Sequence, residues 1–166
     1  RMMDYDLFVT GNHEYNYGLD ILNRQLGVLT APAAEGEDEV WVSMADYLDA
    51  ATNSDEARDW ATWNGYDPYR IFDFDGVKVA VMGIGNPNVS KWDVPENWEG
   101  IYFAGVIDTY LHYEEEMDAA SDLIVLYSHS GIDTDIESDF IRRLIGQTDT
   151  IGQNPSERFG GPQPSE

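Results

Sequence analysis

The amino-acid sequence predicts an α/β fold. Nearly continuous apolar runs at residues 7–10 and 123–128 are typical of strands buried inside a sheet. Between them lie stretches with apolar residues at helical spacing, and one pair of β-rich runs flanks an Asp-Gly dipeptide, a strong hairpin signal. Strands that alternate with helices, together with one hairpin, indicate an α/β domain.

The chain begins with half of a βαβ unit. A predicted strand over residues 7–10 ends at Gly11, and a predicted helix over residues 17–26 stops before Gly27. The helix is predicted from three leucines at helical spacing, namely Leu19, Leu22 and Leu26.

The next segment lacks a single clear periodicity. Residues 28–31 are predicted to form a strand, and residues 32–39 a polar, acidic loop. Within residues 41–64 two short helices are predicted, because apolar residues recur there at helical spacing. The two apolar faces comprise Trp41, Met44, Tyr47 and Leu48 in the first helix and Ala57, Trp60 and Ala61 in the second.

The clearest local pattern is the hairpin. Residues 69–74 and 77–83 are rich in β-branched and aromatic side chains, and they are separated by Asp75 and Gly76. The second arm is almost wholly apolar, so we expect it to lie inside the sheet. Residues 85–105, which contain Gly, Pro, Asn and two Trp, are predicted to form an ordered loop.

A helix and a strand follow this loop. The helix is predicted over residues 106–120, and the buried strand over residues 123–128 leads directly to His129. A further short helix is predicted over residues 139–146. The side chains expected to turn inward from the first of these helices are Ile107, Tyr110, Leu111 and Met117.

The sequence is predicted to contain one domain and a tail. Residues 1–150 form the predicted domain, and residues 151–166, where Gly, Pro, Gln and Ser dominate, form a predicted flexible tail. Because the chain enters its first strand almost at once, we expect it to be an internal part of a longer domain.

The composition excludes several classes of function. Hydrophobic residues make up 42% and aromatic residues 13% of the chain, which indicates a globular protein. The 32 acidic residues outnumber nine lysines and arginines, and the formal net charge of -23 would repel a nucleic-acid duplex. The absence of Cys excludes thiolate metal ligands, and no apolar run is long enough to cross a bilayer.

The segment Gly11-Asn12-His13-Glu14 lies between the first strand and the first helix. In α/β sheets, ligands bind at the loops that follow strand ends. An Asn oxygen there can bind a metal ion, while the neighbouring His binds metal or donates to a substrate. The same residues would also suit a surface turn in which Asn12 caps a helix.

His129 follows the strand over residues 123–128 at the same kind of position. An imidazole at a strand end can be a ligand of Zn, Mn or Fe. A single histidine after a strand is equally compatible with a structural role, so this residue alone does not decide between the two.

With their flanking residues, both segments resemble signature motifs of one protein family. Residues 11–20 resemble the third motif of the calcineurin-like metallophosphoesterases, and residues 122–132 resemble the fourth. Within that superfamily the sequence is most similar to the 5′-nucleotidase and 2′,3′-cyclic-nucleotide 2′-phosphodiesterase family. The resemblance runs from residue 4 to residue 132 and implies part of a β-sandwich flanked by helices in four αββα layers, incomplete in this chain.

The resemblance implies a phosphoric ester hydrolase that acts on nucleotides or 2′,3′-cyclic nucleotides through two divalent metal ions, Zn, Mn or Fe, with Mn favoured for assays. Asn12 and His129 correspond to ligands of one metal. His13 corresponds to the histidine that stabilises the transition state or protonates the leaving oxygen. Asn16 corresponds to the residue that orients this histidine, which is an Asp in 5′-nucleotidases and can be an Asn in the cyclic-nucleotide branch.

Other motifs of the family are absent. Its Asp-x-His and Gly-Asp motifs should precede Gly11, and its Gly-His-x-His motif should follow His129, but the chain contains neither set. We therefore expect at most one partial metal site, little activity from this chain alone, and no C-terminal substrate domain. The resemblance also implies a small nucleotide substrate, no membrane insertion, and an extracellular, periplasmic or cell-wall location.

The missing ligands and the acidic composition leave a second hypothesis open. In it, the chain is a non-catalytic acidic surface or binding module that keeps the fold and has lost the chemistry. Residues that bind substrate cannot be identified under either hypothesis.

Overall fold

A computed structural model describes residues 5–30 and 40–129. Helices and strands alternate along these residues, and the predicted α/β class is confirmed. The strands are β1 (Leu7–Phe8), β2 (Trp41–Val42), β3 (Tyr47–Asp49), β4 (Tyr69–Phe74), β5 (Val77–Ile84), β6 (Ile101–Phe103) and β7 (Leu123–Ser128), and the helices are α1 (Leu19–Thr30), α2 (Val89–Trp92) and α3 (Val106–Ala120).

The three-stranded sheet has the strand order β4-β5-β7. β4 and β5 are antiparallel and form the predicted hairpin, whose last pair is Phe74 and Val77. Asp75 and Gly76 make the turn with φ angles of 54° and 93°, the left-handed backbone that a tight two-residue hairpin turn needs. Both arms of the hairpin are therefore confirmed.

The same sheet contains a parallel pair. β7 lies parallel to β5 in a register that begins with Val79 opposite Leu123, and the predicted helix α3 is the crossover between them. One face of the sheet packs against α3 and encloses an apolar cluster. Its buried members are Ala45, Ala80, Met82, Ile84, Val106, Tyr113 and Met117.

The inward face of α3 differs from the predicted one. Met117 is fully buried as predicted, but Leu111 is 57% exposed. The ring of Tyr113 packs edge-on against the rings of Tyr69 and Trp60, so aromatic contacts from remote segments select the buried face of the helix. The buried side chains of α3 are Val106, Thr109, Tyr113 and Met117.

Strand β7 is exposed along one face, which contradicts the prediction of a fully buried strand. Ile124 and Leu126 pack against the apolar cluster under α3. Their neighbours Leu123, Val125 and Tyr127 point to the opposite face and are 54%, 38% and 56% exposed. Side chains alternate between the two faces of a strand, and only one face of this sheet is covered by α3.

The first βαβ unit is longer than predicted. β1 and β2 are parallel, and α1 lies between them in the chain. α1 does not stop before Gly27 but continues to Thr30, so the predicted strand over residues 28–31 is wrong for residues 28–30. A glycine inside a helix costs about 1 kcal/mol, which the burial of Leu22 and Leu26 offsets.

The two helices predicted within residues 41–64 are wrong. Residues 40–48 are buried in succession, and β2 and β3 lie there instead. β3 pairs with β6, antiparallel, and a helical turn over Trp63–Gly65 follows. The apolar residues are spaced as in a helix, but burial on all sides favours extended strands.

A second apolar cluster lies around β2, β3 and α1. Phe103 of β6 packs edge-on against the ring of Tyr47 at a centroid distance of 4.9 Å, so β6 closes this cluster. The predicted loop over residues 85–105 therefore contains regular structure, namely α2, a turn over Pro95–Asn97 and β6. The buried members of the cluster are Tyr15, Leu22, Leu26, Val42, Met44, Tyr47, Trp63, Val89 and Ile101.

Several predictions lie outside the described residues. These are the acidic loop over residues 32–39, the helix over residues 139–146 and the tail over residues 151–166. The division into residues 1–150 and 151–166 and the four-layer arrangement therefore stay predictions. Within the described residues, no helix has both the length and the apolar character needed to cross a membrane.

Candidate active site

The two sequence motifs meet at one end of the strands. Ser43 donates its backbone N–H to Phe8 of β1 at 3.1 Å, and Ala45 donates to Gly83 of β5 at 2.9 Å. Residues 43–45 thus tie the β1-β2 pair to the three-stranded sheet. The loop after β1 and His129, the residue that follows β7, come together at this junction.

Asn12 and His129 are brought into contact across 117 residues of sequence. Asn12 Oδ1 lies 3.1 Å from His129 Nε2. The backbone N–H of His129 donates to Ile84 at 3.1 Å, which continues the β5–β7 pairing one residue beyond the strand and fixes where the imidazole projects. Both residues of the predicted metal pair therefore present their ligand atoms to the same point.

Gly11 occupies a position that leaves no space for a side chain. A Cβ added to Gly11 would lie 2.8 Å from Cε1 and 2.9 Å from Nε2 of His129, and 2.9 Å from Oε2 of Glu14. Glu14 also accepts the backbone N–H of Gly11 at 2.7 Å. The glycine therefore allows the imidazole and the carboxylate to approach the loop backbone closely.

His13 and Asn16 are in contact through their side chains. His13 Nδ1 lies 2.8 Å from Asn16 Oδ1, and a single helical turn over His13–Tyr15 places the two side chains on one side of the loop. Both side chains are exposed. Asn16 has a second partner, because its Nδ2 donates to Asp93 Oδ2 at 3.0 Å.

The floor of the site is a buried set of polar groups. Tyr47, which is fully buried, accepts the backbone N–H of Asn86 at 2.8 Å, and its hydroxyl lies 3.2 Å from the carbonyl of Asn86. Asn86 Nδ2 in turn points to the carbonyl of His129 at 3.5 Å. Tyr47 therefore holds the segment after β5, which His129 contacts.

Asp46 lies beside Tyr47 and is also fully buried. Its Oδ1 accepts the backbone N–H of Gly85 at 2.7 Å, whereas its Oδ2 has no hydrogen-bond partner. Burial raises the pKa of Asp46 to about 7, and the hydrogen bond from Gly85 lowers it only in part. A carboxyl group in this setting therefore keeps its proton to a higher pH than an exposed aspartate does.

The chemistry of the paired side chains fits half of a metal site. Asn12 Oδ1 and His129 Nε2 lie 3.1 Å apart, and an oxygen with an imidazole nitrogen is a pair of donor atoms that would suit Zn, Mn or Fe. However, no group of three or more His, Cys, Asp or Glu that could hold a metal occurs within residues 5–30 and 40–129.

Two residues at the site were not anticipated from the sequence as functional. Glu14 fixes the loop at Gly11, and Asp93 holds the amide of Asn16. Glu14 lies inside the first motif, so its place in the motif could have indicated a role. Asp93 is 77 residues from Asn16, and no local pattern connects them.

Comparisons with known proteins find relatives that match most of the chain. A 5′-nucleotidase of Vibrio cholerae is 28% identical over 129 residues, covering 76% of this chain and 20% of the relative. A 2′,3′-cyclic-nucleotide 2′-phosphodiesterase/3′-nucleotidase of Salmonella typhimurium is 27% identical over 143 residues, covering 80% of this chain and 19% of the relative. The chain thus spans about a fifth of the length of these curated relatives. No family model matches it.

The fold has a similar counterpart among solved structures. A putative 5′-nucleotidase from Staphylococcus aureus superposes with a TM-score of 0.63 at 28% sequence identity, covering 82% of this chain and 23% of that protein. The fold is therefore similar to that of calcineurin-like phosphoesterases of the 5′-nucleotidase type. Its relatives and structural neighbours are members of the 5′-nucleotidase and cyclic-nucleotide phosphodiesterase family, which is the family that its two motifs resemble.

Proposed function

We propose that this chain carries part of the active site of a metal-dependent enzyme that hydrolyses phosphate esters of nucleotides or 2′,3′-cyclic nucleotides. The observation that carries the proposal is the 3.1 Å approach of Asn12 Oδ1 to His129 Nε2, beside His13 at the ends of β1 and β7. The names of the relatives support a nucleotide substrate. The family supports a centre of two divalent metal ions.

Four residues have distinct roles in this proposal. Asn12 and His129 would hold one metal ion. Bound metal ions supply charge neutralisation for the phosphate and lower the pKa of a bound water. His13 contacts the phosphate ester and donates a hydrogen bond to the oxygen that develops charge, and Asn16 holds the imidazole of His13 in place.

The remaining ligands are proposed to come from other parts of a longer protein. The described residues offer two ligands for one metal, fewer than a dinuclear site needs. The chain spans about a fifth of its curated relatives, so the proposal leaves room for a C-terminal substrate domain and further metal ligands in a longer protein. We propose a periplasmic, extracellular or cell-wall location by the same relationship.

A second candidate function is a non-catalytic acidic binding module. The absence of any three-ligand group within residues 5–30 and 40–129, together with the net charge of -23, favours it. It predicts weak, unselective binding of divalent cations that does not depend on His129. The two candidates therefore differ in one measurable property, which is the contribution of His129 to metal affinity.

Metal affinity tests the site itself. Mn²⁺ binding to the full 166-residue chain is measured by electron paramagnetic resonance for the unaltered chain, for His129→Ala and for His112→Ala. His112 serves as a matched control, because it is stacked on Trp60, away from the site, with 4.2 Å between ring centroids. The phosphoesterase proposal predicts at least about tenfold weaker binding for His129→Ala only. Equal affinity in all three proteins would favour the binding module.

Hydrolysis tests the chemistry. The purified chain is incubated with 4-nitrophenyl phosphate and bis-4-nitrophenyl phosphate in the presence of Mn²⁺, with His13→Asn as the control. We expect no turnover from the chain alone, and in the longer protein a loss of about 10²- to 10⁴-fold in kcat for His13→Asn. Turnover by the chain alone that His13→Asn abolishes would mean that it assembles a complete site, contrary to the expected partial one.

A further inference from the structure

We propose that Asp93 is a positioning residue that sets the tautomer and the orientation of His13 by fixing the amide of Asn16. The significance of this arrangement for catalysis rests on the proposed function of His13. The arrangement itself rests only on three side chains and their hydrogen bonds.

The three side chains form a continuous chain of hydrogen bonds. His13 Nδ1 lies 2.8 Å from Asn16 Oδ1, and Asn16 Nδ2 lies 3.0 Å from Asp93 Oδ2. Asp93 follows directly after α2, in a part of the chain distant in sequence from the loop that holds His13. The fold therefore supplies a carboxylate to His13, with one amide group between them.

The carboxylate decides which way the amide of Asn16 faces. An Asn side chain has one end that only accepts hydrogen bonds and one that only donates them, and either end can face a neutral imidazole. An ionised carboxylate can only accept, so it requires the NH₂ group of Asn16. The amide oxygen must then face His13, and Nδ1 must carry the proton. Nε2 is then the nitrogen that faces a substrate, and it donates a hydrogen bond only in the imidazolium form, in which Nδ1–H still donates to Asn16.

Asp93 is itself held firmly. Its Oδ1 accepts the backbone N–H of Val94 and the side-chain Nδ2 of Asn97, both at 2.8 Å. Its own backbone N–H donates to Val89 at 2.9 Å and so closes the last turn of α2. Partial burial acts to raise the pKa of Asp93, but the hydrogen bonds from Asn97, Val94 and Asn16 together lower it, so the group is ionised at neutral pH.

The test reverses the donors and acceptors in the row of hydrogen bonds from Asp93 through Asn16 to His13, and it does so with a side chain of the same shape as Asp. In Asp93→Asn, the new side chain has one oxygen and one NH₂ group. The oxygen is required by the two donors at the Oδ1 position, from Val94 and Asn97, so the NH₂ group faces Asn16. The amide of Asn16 then turns over and presents its own NH₂ group to His13, which must move its proton to Nε2.

The tautomer of His13 is observed directly by long-range ¹H–¹⁵N correlation spectra of the full chain labelled at histidine. The chain has three histidines, and a His112→Gln variant helps to assign their signals. We expect the Nδ1–H tautomer in the unaltered chain, the Nε2–H tautomer in Asp93→Asn, and the Nδ1–H tautomer again in the exchanged variant Asn16→Asp/Asp93→Asn. In the exchanged variant the carboxylate at position 16 itself requires Nδ1–H, so this variant shows that His13 can still adopt the Nδ1–H tautomer when position 93 carries Asn.

Two further variants control for folding. Asn97→Ala removes a different partner of Asp93 and leaves the Asn16 contact, so it is expected to keep the Nδ1–H tautomer. Asp93→Ala frees the amide of Asn16, and averaged ¹⁵N shifts of both tautomers are expected. It replaces Asp93→Asn as the test if that variant does not fold. A folded Asp93→Asn or Asp93→Ala chain that keeps a pure Nδ1–H tautomer would overturn the proposal.

This measurement needs neither metal nor substrate, so its outcome is independent of the proposed phosphoesterase activity. A tautomer change without any activity in the longer protein would support the positioning role and count against the proposed function. Where the longer protein is active, Asp93→Asn is expected to lower kcat about tenfold or more with little change in KM. An unchanged kcat together with a changed tautomer would mean that the hydrogen bonds from Asp93 through Asn16 to His13 have no catalytic significance.

Discussion

At the scale of single residues, Gly11 is the position in the site where an added side chain would be most tightly restricted by its neighbours. Its missing side chain is replaced by the imidazole of His129 and the carboxylate of Glu14, which both lie within 3 Å of where a Cβ would be. These contacts come from two loops far apart in sequence. A single methyl group at Gly11 therefore acts on both motifs at once.

We predict that Gly11→Ala displaces the imidazole of His129 and lowers the free energy of unfolding by about 1–3 kcal/mol, the usual cost of overpacking. The ¹⁵N shifts of His129 and urea unfolding of the full chain provide the measurements. Displacement of His129 is also expected to weaken Mn²⁺ binding. A His129 spectrum identical to that of the unaltered chain would contradict the packing described for Gly11.

Asp46 leads to a prediction about pH. Its pKa is 3.8 in the unfolded reference and about 7 in the fold, so the folded state binds the proton more tightly. The stability contributed by this group is complete below pH 4 and is lost as the pH rises to about 7. Asp46→Asn remains neutral at every pH and lacks this loss.

We therefore expect the free energy of unfolding of the unaltered chain, minus that of Asp46→Asn, to fall between about pH 4 and pH 7 and to stay constant above that range. Urea unfolding of both proteins from pH 4 to pH 8 measures the difference. Contributions of the other carboxylates cancel in this subtraction. A constant difference across the range would mean that Asp46 is ionised inside the fold.

The site residues differ in how far the sequence could predict them. Asn12 and His129 follow strands, and their flanking motifs resemble a family, so they could be placed without a structure. Asp93 could not, because its relation to Asn16 depends on how α2 packs beside the loop after β1. Local patterns indicate which residues end strands, whereas contacts between distant loops are set by tertiary packing.

At the scale of secondary-structure elements, the correct predictions are those that depend on local sequence, and the wrong ones are those that depend on contacts between distant segments. The hairpin of β4 and β5 was predicted because its two arms are adjacent in sequence and its turn is encoded by Asp75 and Gly76. β2 and β3 were not, because their partners are β1 and β6, which are remote in sequence. A strand that is buried on both faces shows no alternation of apolar and polar residues, so its sequence does not mark it as a strand. The helical spacing of its aromatic residues was accidental.

Helix α1 continues through Gly27, although a glycine at this position predicted the end of the helix. Gly27 lies inside the helix, and a Cβ added there would meet nothing within 4 Å. We predict that Gly27→Ala raises the free energy of unfolding by about 0.5–1 kcal/mol, because alanine loses less backbone entropy and adds no clash. Urea unfolding of this variant and of Gly11→Ala is expected to give changes of opposite sign in the free energy of unfolding for the same Gly→Ala substitution. A loss of stability in Gly27→Ala would mean that the helix ends before this residue, as the sequence had suggested.

At the scale of the whole molecule, charge and site chemistry are matched. A chain with a net charge of -23 is a poor general binder of anions, yet the proposed substrate is a phosphate ester. Two of the residues that line the site, Asn12 and Asn16, are neutral amides. The carboxylate of Glu14 accepts a backbone N–H, and that of Asp93 faces Asn16. An anionic substrate would therefore meet two neutral amides, and bound metal ions would supply the positive charge that offsets the repulsion.

The three-stranded sheet divides the molecule into one covered face and one open face. On β7, Leu126 packs under α3, whereas its neighbour Val125 points to the other face and is 38% exposed. Leu123 and Tyr127 lie beside Val125 on that face and are more than half exposed. Such a contiguous apolar surface binds hydrophobic dyes and promotes self-association.

Substitution of Val125 and of Leu126 provides the last prediction. Val125→Lys is expected to change the free energy of unfolding by less than about 1 kcal/mol while it lowers the fluorescence of bound anilinonaphthalene sulfonate. Leu126→Lys, one position along the same strand, would place a charge against the apolar cluster and is expected to cost more than about 2 kcal/mol. Urea unfolding, dye fluorescence and sedimentation velocity of both variants measure these effects. Equal destabilisation by the two substitutions would mean that the face carrying Val125 is covered in solution, and the sheet would then be buried on both sides, as its apolar sequence first indicated.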